Sequence, residues 1–207
     1  MNREHWLTSI VTSLRPIVEA SLESDDSEQK PPVIRVSCGW PSSGGLGKRM
    51  RVLGQCWSSK VTPDGANEIF ISPLVEDSIE VAGIVLHEML HAYLPPKTKH
   101  GPAFARLAKN VGLAGKPRAT VVEDDSPLAQ ALALIVDKTG PYPTRAMDPS
   151  LDDQRKKQTT RMIKVVCPEE VCGYTVRTTA KWILVGVPVC PNGHEMVAEQ
   201  IKQIEEE

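Results

Sequence analysis

Aromatic residues are scarce in this chain: two Phe, three Tyr and four Trp, 4% of 207 residues. Any core must therefore be built mainly from Val, Ile, Leu, Ala and Met. Five cysteines are too few for a disulfide framework. No N-terminal stretch joins a basic region to the roughly 7–15 apolar residues that secretion requires, so a reducing, cytoplasmic setting is expected. Long apolar runs are missing too. Val81–Leu86 and Leu128–Val136 fall far short of the roughly 20 residues that span a bilayer, and no membrane insertion is expected. Repeats at solenoid periods and low-complexity tracts are also absent. The length suits one ordinary domain plus a small appendage, not two full-sized domains.

Net charge is −2, from 24 basic and 26 acidic residues, and its distribution says more than its size. Gln29–Pro63 holds Lys30, Arg35, Lys48, Arg49, Arg51 and Lys60 with no acid. Met89–Val122 holds Lys97, Lys99, Arg106, Lys109, Lys116 and Arg118, again with no acid. A third stretch carries Arg155, Lys156, Lys157, Arg161 and Lys164. On a shared face these would attract a polyanion; as scattered solvated residues they would do nothing of the kind.

Trp6, Leu7, Ile10, Val11, Leu14, Ile17 and Val18 recur at helical spacing and predict an amphipathic helix that Pro16 should bend or interrupt. Val33–Ser37 and Asn67–Ile71 predict short strands. Arg51–Ser58 is a further extended segment, and Asp64-Gly65 is a turn that would make a hairpin with the strand after it. Asp77 or Ser78 can cap a helix from about Ile79 to Tyr93, stopped by Pro95-Pro96. A second helix opens near Pro102 and a third at Ser126-Pro127, ending near Lys138. Residues 144–160 lack periodicity and predict a linker. Beyond them Met162–Val166, Tyr174–Thr178 and Trp182–Val187 are β-prone runs in a segment of about forty residues, too small to bury a sufficient core unaided. The expected division is therefore 1–150 and 151–207.

His87-Glu88-Met89-Leu90-His91 is an HExxH motif on the predicted 79–93 helix. Residues four apart share a face, so both imidazoles can point at one metal ion while Glu88 reaches water bound to it. A catalytic zinc commonly takes three protein ligands and leaves one position for water. The best third candidate is His100, which Pro95-Pro96 would let the chain bring back toward the pair. A glutamate is the alternative, but acids are absent from Met89 to Val122.

The string His87-Glu88-Met89-Leu90-His91-Ala92, followed by His100-Gly101-Pro102-Ala103-Phe104, resembles the SprT-like metallopeptidases, which include the Spartan DNA–protein crosslink proteases. Upstream, Lys48-Arg49-Met50-Arg51-Val52-Leu53-Gly54-Gln55-Cys56 is similar to the basic-Met and Gly-x-Cys strand that precedes the active-site helix in that family. The resemblance covers roughly residues 33–115. It implies an α+β, zincin-like core with a small sheet beside the HExxH helix. It also implies zinc held by His87, His91 and His100, and Glu88 as the catalytic base of peptide hydrolysis. Tyr93 and Tyr142 carry hydroxyls, but nothing in the sequence places either at the site, and both are expected to pack.

Cys167, Cys172, Cys190 and His194 supply the four ligands of a closed tetrahedral zinc, arranged as Cys-x4-Cys and Cys-x3-His pairs. This is close to a zinc ribbon, with Gly173 and Gly193 suited to the knuckle turns and the metal supplying folding energy. SprT-like proteins often carry such a C-terminal ribbon. Cys38 and Cys56 are expected to be small buried residues. Gly47-Lys48 suggests a phosphate loop but fails its spacing, since Arg49 stands where Ser or Thr is required. Trp40, Trp57 and Trp182 are expected to pack rather than stack on bases. The resemblance, together with the acid-free basic stretches, implies a zinc endopeptidase acting on DNA-associated proteins; the rival is a nucleic-acid-binding adaptor whose metal site is structural and whose ribbon does the work.

Overall fold

The computed structural model describes residues 1–22, 30–46, 51–151 and 162–198. The chain divides into two compact units, Met1–Pro149 and Ser150–Glu207. Lys48, Arg49 and Met50 of the upstream motif, and Arg155, Lys156, Lys157 and Arg161 of the third basic stretch, lie outside the described residues.

Helix α1 (Arg3–Glu19) begins where the Asn2 side chain accepts the His5 backbone N–H, pairing one of the amides that a helix start leaves free. Its buried stripe is Trp6, Leu7, Ile10, Val11, Leu14 and Val18. The helix runs through Pro16 instead of stopping there. Thr12 and Pro16 both face solvent, so the Thr12 carbonyl that loses its helical partner can be hydrated.

Three strands form the first sheet: β1 (Ile34–Cys38), β2 (Gly54–Trp57) and β3 (Asn67–Ile71), in the order β1-β3-β2. β1 runs parallel to β3, while β2 is antiparallel to it, as the expected hairpin requires. β2 is therefore an edge strand, its outer side turned away from β3. Along β3, Asn67, Ile69 and Ile71 are buried in alternation, the mark of one face against a core.

Against this sheet and α1 lies α2 (Ser78–Tyr93). Asp77 caps it by accepting the N–H groups of Ile79 and Glu80, and Pro95 and Pro96 follow its end. A 3-10 turn (Pro96–Thr98) leads into α3 (Pro102–Asn110). A hairpin of β4 (Ala114–Lys116) and β5 (Ala119–Val121) comes next, which the sequence reading did not anticipate. α4 (Pro127–Thr139) completes the unit, capped by Ser126 on Ala129. The Trp6 indole donates to the Gly140 carbonyl at 2.8 Å and ties the end of α4 to α1.

The second unit holds an antiparallel sheet in the order β7-β6-β8, from β6 (Met162–Val166), β7 (Thr175–Thr179) and β8 (Val197–Ala198). The run expected as a third strand, Trp182–Val187, is instead mostly a short helix, α5 (Ala180–Val185). Trp182, Ile183 and Val185 suit a strand, and the run is short and apolar throughout up to Gly186, so periodicity could not separate the two states. As a helix it buries only Ile183 and leaves Trp182, Leu184 and Val185 exposed. Both units thus mix helix with small sheets. Among the described residues no helix is long and apolar enough to cross a membrane.

Candidate metal centre

One face of α2 is buried from Val81 to Leu90, and Glu88, only 5% exposed, lies within it. His87 and His91 sit one helical turn apart. The break at Pro95-Pro96 turns the chain so that His100, at the entrance to α3, comes back beside them. His91 Nε2 lies 3.1 Å from His100 Nε2, and His100 Nε2 lies 3.3 Å from His87 Nε2. Two nitrogen ligands of a tetrahedral zinc lie about 3.3 Å apart, given Zn–N bonds of about 2.0–2.1 Å. The donor set therefore fits a zinc ion in both number and spacing.

Phe104, fully buried on α3, supports the three rings from behind. It stacks on His91 at 4.5 Å and touches His87 and His100 at 4.9 and 5.0 Å. A second support is Thr120 on β5, whose Oγ1 lies 2.8 Å from His87 Nδ1. Sequence reasoning missed Thr120 because strands of three residues are too short to show alternation; Gly115 and Pro117 were the available turn signals.

Burial sets the electrostatics. It lowers His87 to about 4 and His91 to about 3, helped by the neighbouring histidines, and it lowers His100 together with the charge of Arg118. All three are therefore neutral at pH 7, the state in which imidazole binds metal. Burial raises Glu88 to about 8, against the opposing pull of the Cys56 backbone N–H. A cation held by the histidines would favour its carboxylate form. The same burial, with Glu88 nearby, pushes the Cys56 thiol up to about 12, so it is no nucleophile at neutral pH.

The centre opens into a cleft of about 1550 Å³ walled by β2, α2 and the β4–β5 hairpin. Gly54 of β2 passes directly over Glu88. A Cβ there would stand 2.5 Å from Glu88 Oε1 and 2.7 Å from Ile84 Cγ2. Arg51, Lys99 and Arg118 line the cleft and are exposed. Arg35 is not available to an anion, since Asp64 and Glu68 both pair with it.

Residues 29–123 match the SprT-like family model. It is to this family that the segment is similar. No curated protein and no solved structure matches the chain. The SprT-like segment contains β1 to β3, α2, α3 and the hairpin, and so all three histidines, Glu88, Phe104 and Thr120.

Neither tyrosine belongs to the SprT-like site. The Tyr93 hydroxyl donates to Glu19 at 2.8 Å and accepts from Arg15, and Tyr142 packs on Trp6 at 4.9 Å. Cys38 and Cys56 are half-buried against the core rather than fully enclosed. The expectation of packed tryptophans fails: Trp40, Trp57 and Trp182 are all exposed. Trp57 alternates to the opposite face of β2 from Gly54 and Cys56, and it is the exposed position of that strand.

In the second unit Cys167, Cys172, Cys190 and His194 come together. Cys190 Sγ lies 3.8 Å from Cys167 Sγ and 3.7 Å from Cys172 Sγ, and His194 Nδ1 lies 3.5 Å from the sulfurs of both Cys167 and Cys190. Around a tetrahedral zinc, sulfur pairs lie about 3.8 Å apart and sulfur–nitrogen pairs about 3.6 Å. This set fits zinc as well. Burial pushes the Cys167 thiol up to about 11, whereas at Cys190 burial is opposed by hydrogen bonds from the His194 and Asn192 backbone N–H groups and from the Cys172 and Cys167 thiols, which together bring it down to about 7. Gly173 and Gly193 adopt positive φ (58° and 84°) in the turns after Cys172 and Cys190.

Proposed function

We propose that this chain is a zinc-dependent endopeptidase acting on DNA-associated proteins, with a catalytic first unit and a zinc-stapled ribbon as the second. The observation that carries the peptidase reading is the convergence of three imidazole Nε2 atoms beside a buried carboxylate in an open cleft. Bound there, zinc supplies a Lewis acid that lowers the pKa of water toward 7 and polarises the scissile carbonyl. Glu88 accepts the proton of the attacking water and passes it to the leaving amine. Gly54 and the Cys56 amide keep the Glu88 carboxylate at the cleft floor.

Donor count separates the two metal sets. Three histidines leave a coordination position free for water or substrate, as catalytic zinc requires, whereas three cysteines and a histidine close a structural site. A structural role for both sites, as the adaptor reading needs, does not account for an open triad facing a cleft. DNA association has separate support. Lys97, Lys99, Arg106, Lys109, Lys116 and Arg118 are all exposed, in a stretch without acids; Lys99 and Arg118 line the cleft together with the exposed acids Asp77, Glu80, Asp124 and Asp125, so the support lies in the stretch and not in the cleft.

Glu88→Gln tests the chemistry on DNA-bound and free protein substrates, with and without DNA. Cleavage should fall about 10²- to 10⁴-fold while both zinc equivalents remain bound. Undiminished cleavage by the variant would falsify the peptidase assignment. DNA affinity should weaken steeply with salt concentration, and a flat dependence removes the phosphate-contacting surface.

A further inference from the structure

We infer that Thr120 is a positioning residue for the histidine centre: its hydroxyl oxygen accepts the Nδ1–H of His87 and so fixes the ring to present Nε2 to the metal. The inference rests on the metal centre proposed above and extends it to a segment, the β4–β5 hairpin, that supplies no ligand.

The tautomer follows from the geometry. His87 Nε2 faces His100 Nε2 at 3.3 Å, on the side where the three ligand atoms converge. A proton on that nitrogen would occupy the lone pair that a metal needs, so in a ligating His87 the proton sits on Nδ1. Thr120 Oγ1 is 2.8 Å from Nδ1, and its hydroxyl is free to act as acceptor. Both residues are partly buried, which limits competition from water. Among the described residues, no comparable side chain reaches the outer nitrogen of His91 or His100. Those two rings are held by packing on Phe104, and His91 stacks on it at 25° between planes. His87 is the ligand whose tautomer is set by a named partner.

Thr120 is itself held in place. It pairs across the hairpin with Gly115, and two residues on, Val122 presses against α2 at Gly83. A Cβ on Gly83 would stand 2.7 Å from Val122 Cγ2, so the helix and the chain leaving β5 approach too closely for any larger residue. The contact anchors β5 one helical turn before His87 and sets the distance across which the hydroxyl reaches the ring. A hydroxyl acceptor also fixes the imidazole without adding negative charge, so a bound zinc keeps its full Lewis acidity.

The test uses the full chain, with zinc affinity measured by competition against a chelator and the His87 ring read by nitrogen NMR. His87→Ala first identifies which zinc equivalent belongs to the histidine centre. Thr120→Val keeps the shape but removes the hydroxyl, and should weaken that equivalent about 10- to 100-fold while the cysteine-bound equivalent stays unchanged. Thr120→Ser, which restores the hydroxyl, should recover wild-type affinity. In the wild type the His87 proton should be on Nδ1. Equal zinc affinity in Thr120→Val and wild type overturns the inference, as does a Thr120→Ser variant as weak as the valine form. If Thr120→Val fails to fold, the His87 tautomer of the metal-free wild type decides, because no metal then imposes it: a proton on Nε2 overturns the inference and one on Nδ1 upholds it. If His87→Ala binds as much zinc as wild type, the histidine centre itself is wrong, and the role of Thr120 falls with it.

Discussion

Replacing Gly54 by alanine probes the geometry that holds the proposed base without touching any proposed ligand. The added methyl would sit 2.5 Å from Glu88 Oε1, 2.7 Å from Ile84 Cγ2 and 2.8 Å from Glu88 Cγ. Ordinary contacts between such atoms need about 3.5 Å or more, so either β2 moves outward by something near 1 Å or the Glu88 side chain swings away. Outward movement also carries off the Cys56 N–H that faces the carboxylate. Overpacking of this kind costs about 1–3 kcal/mol, equivalent to roughly 2–12 °C in Tm for a chain of this size. Misplacing a reacting group by about 1 Å costs about 10²-fold in rate. The expected result is a protein that folds, keeps its zinc and loses about two orders of magnitude in kcat/KM. The assay is peptide cleavage at saturating zinc, with metal content and thermal unfolding measured on the same sample. Cleavage within a few-fold of wild type at unchanged zinc content refutes the claim that Gly54 and Glu88 share this space.

Metal-free protein should have a stability maximum near pH 6.5. The depressed His87 and His91 contribute stability that is present above about 6.5 and lost as pH falls through their folded values near 4 and 3. The raised Glu88 contributes stability that is complete below about 4.5 and lost as pH rises through about 8. Between pH 6.5 and 8 its share of the loss is about 2 kcal/mol, and Glu88→Gln should abolish that share in urea unfolding with a chelator present. An equal alkaline loss in the variant would show that Glu88 is not the group responsible. In the second unit, chelation should unfold residues 162–198, because among the described residues only seven side chains form its buried cluster and two of them are Cys167 and Cys190. Limited proteolysis should then cut there first and leave Met1–Pro149 resistant; an unchanged digestion pattern rules out a metal-stapled unit.

The parts of this molecule visible in sequence are those governed by short periods and punctuation. α2 could be placed to within a residue because Asp77 caps it and Pro95-Pro96 ends it, and β3 because a β-prone run follows the Asp64-Gly65 turn. HExxH places two of the proposed ligands and Glu88 on one helix by spacing alone. Other features depend on contacts between segments far apart in the chain, which no local pattern reports. Thr120 lies 33 residues from His87, and Gly54 meets Glu88 from a different strand. The error at Trp182–Val187 has a local cause: a short apolar run suits strand and helix alike, and of this one only Ile183 is buried. The exposed tryptophans show the converse. Side-chain size predicted burial, but Trp40 lies in a loop, Trp57 on the outward face of a four-residue strand and Trp182 on a six-residue helix that buries only Ile183.

Donor chemistry supports the metal reading beyond what spacing provides. A neutral imidazole has one N–H and one lone pair. If His87 gives its N–H to Thr120, its Nε2 can only accept, and His100 Nε2 can donate to either His87 or His91 but not to both. Hydrogen bonds among the three therefore satisfy at most two of the converging nitrogens, in a partly buried site where an unsatisfied polar atom costs about 1–3 kcal/mol. A cation at the common point satisfies all three at once. It also reverses the effect of burial on Glu88, favouring the carboxylate that a base requires where burial alone favours the acid. One ion thus resolves two features that would each be unfavourable without it, the crowded imidazoles and the buried acid. That shared resolution favours a catalytic use of the centre over ordinary packing of histidines on a helix.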